Sequence, residues 1–162
     1  MKHLKVLSLM VFVALAGCRG FVVGHTPDMS QLMIGEGVIN IQKKSIASEV
    51  TFPGLDLKCS GVLETYHRAR RPGGIGDKLH GAFKCNDGRT GFADTTVVEV
   101  GENKGTAKDE CGNIFHFYAA IDETTIEELK EEYQEKIKAS GRDFIDKCDS
   151  KGGMPEHFDP II

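Results

Sequence analysis

The chain has no tryptophan, and aromatic residues fill only 7% of its 162 positions. A large aromatic core is thereby excluded, while 19 glycines point to a modest core crossed by many turns. No apolar run reaches the ~20 residues a helix needs to cross a hydrocarbon layer. The longest, Val6 to Ala16, is broken by Ser8. A surplus of positive charge is also missing. The formal charge is −4, and it becomes −6 once Lys2 and Lys5 are set aside with the first 17 residues. That sign excludes a nucleic-acid binder, which needs clustered Lys and Arg against phosphates.

Chemical motifs are equally scarce. No Gly-x-Ser-x-Gly elbow occurs, and Gly73-Gly74-Ile75-Gly76 lacks the Lys-Ser/Thr that completes a phosphate loop. Asp87, Asp94 and Glu99 lack the alternating oxygen ligands of a calcium loop. Neither Cys-x-x-Cys nor His-x-x-x-His is present, so no close ligand pair for zinc exists. No cofactor is expected.

The N-terminus is more informative. Met1-Lys2-His3-Leu4-Lys5 is a short positive region, and Val6 to Ala16 matches the apolar stretch of a secretory signal. The stretch ends Leu15-Ala16-Gly17-Cys18. These residues resemble the lipobox of bacterial lipoproteins: small side chains admit the peptidase, and the thiol takes a diacylglycerol. The resemblance covers the first 18 residues. It implies removal of residues 1–17 and a lipidated Cys18 as the new N-terminus. Arg19 in place of Asp after that cysteine implies release to the outer membrane, with the domain facing the periplasm. Two or three palmitate-type chains make such an anchor effectively permanent, since each buried CH₂ contributes about 0.8 kcal/mol.

Four cysteines remain, Cys59, Cys85, Cys111 and Cys148. An even number in an exported chain reads as two disulfides. The intervals Cys59–Cys85 and Cys85–Cys111 are equal, and each cysteine opens a similar turn phrase, which suggests one turn used three times. The economical pairing is Cys59–Cys85 within the sheet and Cys111–Cys148 from sheet to helix. Its rival is Cys85–Cys111 with Cys59–Cys148.

Beyond the signal, residues 18–33 read as lipidated cysteine, tether and a short helical turn, with Pro27 behind the cap Thr26. Residues 34–121 read as a β-rich domain. Strand signals are separated by Pro53-Gly54, the loop Arg68 to Gly76, Asp87-Gly88 and a turn over Gly101 to Gly105. Six or seven short strands joined by turns predict an antiparallel meander, curled or barrel-like. Residues 122–150 read as an amphipathic helix. Thr125 and Glu128 resemble a capping box, Ile126, Leu129, Tyr133 and Ile137 form an apolar stripe, and Phe144 and Cys148 extend it past Ser140-Gly141, which kinks or splits the helix. Residues 151–162 read as a tail. The class is α+β, with the helix covering the open face of the sheet.

For function, the dispersed His67, His80, His116 and His157 form no cluster. His116, between Phe115 and Phe117, faces away from both. Arg68, Arg70, Arg71 and Lys78 stand out against the acidic background as a contact for an anionic envelope polymer or an acidic protein. The expected function is a non-enzymatic binding or scaffolding module anchored in the envelope by its lipid. The alternative is an exclusion or immunity-type lipoprotein that blocks a membrane or secretion partner.

Overall fold

The structure is a computed structural model describing residues 18–40 and 43–150. Residues 1–17, expected to be a signal, and residues 151–162, expected to be a tail, lie outside the described residues. The chain runs through eight strands: β1 (Cys18–His25), β2 (Leu32–Asn40), β3 (Ser45–Thr51), β4 (Lys58–His67), β5 (Lys78–Cys85), β6 (Thr90–Glu99), β7 (Glu102–Asp109) and β8 (Ile114–Ala120). Two helices follow, α1 (Glu123–Ser140) and the single turn α2 (Lys147–Ser150). Each strand pairs antiparallel with the next, and β8 returns to pair with β1, so the sheet closes into a barrel. Closure leaves no strand edge exposed.

Alternation along the strands gives the barrel an inner and an outer wall. Val22, Met33, Leu63, Leu79, Ala93, Ala107 and Phe115 are buried inside, with Phe83 and Phe117 packed against them. Following the register around the barrel, the inward positions 20, 24, 35, 37, 61, 81, 91 and 105 are all glycine. Two of these glycines show the reason. A Cβ on Gly91 would sit 2.3 Å from the Lys108 carbonyl and from the Phe83 ring, and one on Gly105 would sit 2.4 Å from the Asp94 carbonyl and the Phe117 ring. A neighbouring-strand carbonyl approaches closely there, and an aromatic ring lies over each bare backbone.

Several expectations are corrected. Cys18 to His25 is not a tether but β1, hydrogen-bonded on both sides to β2 and β8. No helical turn follows it. The Thr26 hydroxyl instead accepts from the amides of Ser30 (2.9 Å) and Gln31 (3.0 Å), closing a tight connection into β2. The β-rich domain therefore begins at residue 18 and not at 34, and there are eight strands. The turn placed over Gly101 to Gly105 is β7, with only the Val100-Gly101 corner turning.

The helix differs as well. Its cap is Asp122, whose carboxylate accepts from the amides of Thr124 and Thr125, both at 3.3 Å. Thr125 instead donates its hydroxyl to that carboxylate at 2.7 Å. Gly141, at φ 61°, ends the helix outright, so 122–150 is a helix, an extended strap and one final turn. A closed barrel has no open face to cover. Ile126, Leu129, Tyr133 and Ile137 pack instead on the outer wall, over Val23, Leu32 and Ala120. Phe144 leaves the stripe and packs near the Phe115 ring, 6.1 Å between centroids.

Disulfides join Cys59 to Cys85 and Cys111 to Cys148. The pairing is the economical one, but its reason is different. Cys59 lies at the start of β4 and Cys85 at the end of β5, as direct register partners, while Cys111 sits in the β7–β8 turn. The three cysteines do not open one repeated turn.

Candidate ligand cavity

The two ends of the barrel are unlike. One carries both disulfides and is plugged. Phe52 and Phe115 meet there at 4.8 Å between ring centroids, and Leu57 and Phe144 join the same cluster. Beneath them Arg89, whose side chain is 11% exposed, donates from Nε to Asp87 (2.6 Å), from Nη1 to Asp109 (3.3 Å) and from Nη2 to Asp146 (2.7 Å). Asn113 donates to Asp109 (2.7 Å) and Asp146 (2.8 Å), tying the strap after α1 across this end. Burial works against both charges, but these hydrogen bonds outweigh it. They hold the Arg89 guanidinium above its ordinary pKa and the Asp146 carboxyl below the usual carboxylate range.

The opposite end holds Cys18, the β2–β3 turn, the β4–β5 loop and the β6–β7 corner. Cys18 shares the inward face of its strand with Gly20 and Val22, yet it is exposed. Ile39 and Ile46, also inward there, are only half-buried. Between the two ends lies a cavity of about 80 Å³. Its wall is apolar, formed by Val22, Met33, Leu63, Ala93, Ala107 and Phe117 among others. Polar side chains interrupt it at a few points. Thr95 is occupied, donating its hydroxyl to the Lys104 carbonyl at 2.9 Å. Asn103 is 7% exposed, and its side-chain carbonyl oxygen has no hydrogen-bond partner.

The residues singled out by sequence fall elsewhere. Arg68, Arg70, Arg71 and Lys78 are exposed on and beside the β4–β5 loop, at the Cys18 end, with Lys43 and Lys44 of the β2–β3 turn. Among the described residues none of those four basic groups has an acidic partner within 4.0 Å. The net negative charge thus hides a locally basic rim. His67, His80, His116 and Glu99 do not line the cavity. His80 contacts Asp94 at 2.7 Å on the outer wall, and His116 faces outward, as its place between two phenylalanines implied. Asp109 lies within 4.8 Å of the Cys111 and Cys148 sulfurs, which are bonded to each other and so not free to ligate a metal.

Asn103, Arg89, Asp109 and Asp146 carry the interior chemistry, and sequence reading missed all four. The available signal was parity: positions 103, 105, 107 and 109 share one face of β7, but Asn, Gly, Ala and Asp do not read as a buried stripe.

Fold and interior together define a closed, up-and-down eight-stranded β-barrel with an internal cavity. No family model and no curated protein matches the chain. Among solved structures it is similar to a redesigned β-barrel, mFAP1, determined bound to DFHBI. The TM-score is 0.51 at 11% identity, over 65% of this chain and 94% of that one. The likeness concerns the fold alone.

Proposed function

We propose that this chain is a lipid-anchored module of the bacterial envelope that binds without catalysing, and that its barrel interior takes a small apolar guest. The observation that carries the reading is the cavity of about 80 Å³, apolar-walled and plugged at the disulfide end. Eight strands make a barrel wide enough to be filled by its own side chains or to hold one small ligand. Here eight inward glycines leave the second choice open. The size limits the guest. An engineered apolar cavity of about 150 Å³ admits benzene, so this one takes a few carbons of a slender chain and not a fused ring.

The lipid anchor on Cys18 belongs to the same reading. With no tether between that residue and β1, the anchor holds the Cys18 end of the barrel close to the membrane. Arg68, Arg70, Arg71 and Lys78 then sit where anionic headgroups or polymers lie, and such a contact gives the basic rim of an acidic protein a use. A second reading is favoured by a row on the outer wall opposite α1: Val38, Ala47, Val62, Ala82 and Phe92 are register neighbours across five strands. Val38, Val62 and Phe92 are 52%, 47% and 59% exposed. Such a patch suits a protein partner, as an exclusion or immunity-type lipoprotein requires.

The test is titration of the purified full chain with xenon and short n-alkanes, followed by methyl NMR. Saturable shifts at Val22, Ala93 and Ala107, with no change at Val38 or Val62, are expected. Shifts confined to the outer row would replace the first reading by the second.

A further inference from the structure

The proposed interior site says nothing yet about its guest beyond apolarity and size. Asn103 adds the missing specificity. It sits on the inward face of β7, opposite Val97 of β6 and Ala119 of β8, toward the Cys18 end of the cavity. It is 93% buried by its 7% exposure, lines the cavity and presents a carbonyl oxygen that no protein group satisfies. A buried acceptor left unpaired is costly, and native interiors rarely keep one without a use. Below it the wall turns apolar through Ala107 and Phe115 to the plug at Phe52. The cavity is therefore polar at the Asn103 level and largely apolar beneath it, apart from Thr95 and the paired Arg89 and Asp109 at the far end.

We propose, resting on the reading above, that the guest is an uncharged single-chain amphiphile: an unbranched alkyl tail directed at the plug, with a head that donates a hydrogen bond to the Asn103 side-chain oxygen. A hydroxyl or a primary amide meets this requirement. An alkane or an ether does not, because it brings no donor. A carboxylate does not either. It has no proton to give, and the charged groups that line the cavity, Arg89 and Asp109, lie at the far end and are already paired. Thr95, which lines the same cavity, donates its hydroxyl in a hydrogen bond to the Lys104 carbonyl, so its oxygen is left as a further acceptor for the same donor head.

The experiment compares four probes of equal chain length on the purified full chain: an n-alkanol, its methyl ether, the n-alkane and the n-alkanoate at neutral pH. Binding is read by NMR shifts at the Asn103 side-chain amide and at the Ala107 methyl. In wild type the alkanol should bind about tenfold more tightly than the ether, the worth of one buried hydrogen bond. Asn103→Leu should abolish that preference while still binding the alkane. Should Asn103→Leu not fold, Asn103→Thr and the wild-type series alone still decide the matter. Equal binding of alkanol, ether and alkane to wild type overturns the Asn103 inference and leaves the apolar site standing. Tightest binding by the alkanoate overturns it too. Binding of none of the four overturns the interior reading itself.

Discussion

Replacing Arg89 with methionine should show how much the plug contributes. The guanidinium is 11% exposed and faces Asp109 and Asp146, whose side chains are 4% and 14% exposed. Methionine keeps most of the length but none of the donors, so two buried carboxylates lose their cation. Removing one member of a buried ionic group usually costs about 3–5 kcal/mol, because the partner charge stays behind. Asp87, at 37% exposed, is solvated enough to add little. With a urea dependence near 2 kcal/mol per molar, the unfolding midpoint should fall by about 2 M. The pH dependence supplies a second check. Asp146 has its carboxyl pKa held below 3.8 in the folded state, so its stabilisation is present above the unfolded value and is lost as pH falls through the folded one. Wild type and Arg89→Met should therefore converge in stability as pH drops below about 3.8, and differ most at neutral pH. Urea titrations at pH 7 and pH 3 measure this. A midpoint shift under 0.5 M, or one equal at both pH values, as estimated from the same slope, refutes the account.

Three further outcomes are expected. Cys18→Ser should leave unprocessed precursor or a chain that abandons the detergent phase in Triton X-114 partitioning, and identical partitioning of both forms removes the lipid-anchor proposal. Gly105→Ala should lower thermal stability by several degrees or prevent folding, because its Cβ meets the Asp94 carbonyl and the Phe117 ring at 2.4 Å. Calorimetry showing an unchanged midpoint contradicts the close approach described there. Arg68, Arg70 and Arg71 changed together to glutamate should weaken sedimentation with anionic vesicles by about tenfold at low salt, at roughly 1 kcal/mol or less per charge, with folding unaltered by circular dichroism.

Much of the architecture was legible because its signals are local. Asp87-Gly88 marks the β5–β6 hairpin, and the spacing of Ile126, Leu129, Tyr133 and Ile137 marks α1. What stayed hidden has a common physical cause. A strand is read from alternating apolar side chains, and this barrel's inner wall carries glycine at eight of its positions. In β7 the inward residues are Asn103, Gly105, Ala107 and Asp109, and in β2 they include Gly35 and Gly37. The alternation is kept in space but has no side chains to display it. β1 was hidden differently, because Cys18 and two glycines in the next six residues read as a loose linker while its partners lie on β2 and distant β8. Asn103 could not be singled out for the same reason: one amide in a polar-looking segment carries no mark of burial.

The return of β8 to β1 also governs how the chain reaches this state. Phe21 finds its partner Ala120 only after nearly the whole domain has been synthesised. Until then β1 and the growing meander each present an unpaired edge, the kind of surface that recruits other chains. Pairing the first strand with the last is a long-range event and so a slow one. During synthesis the N-terminal strand emerges first and waits longest, so chaperones that shield strand edges should matter more for the yield of this protein than for its stability once folded.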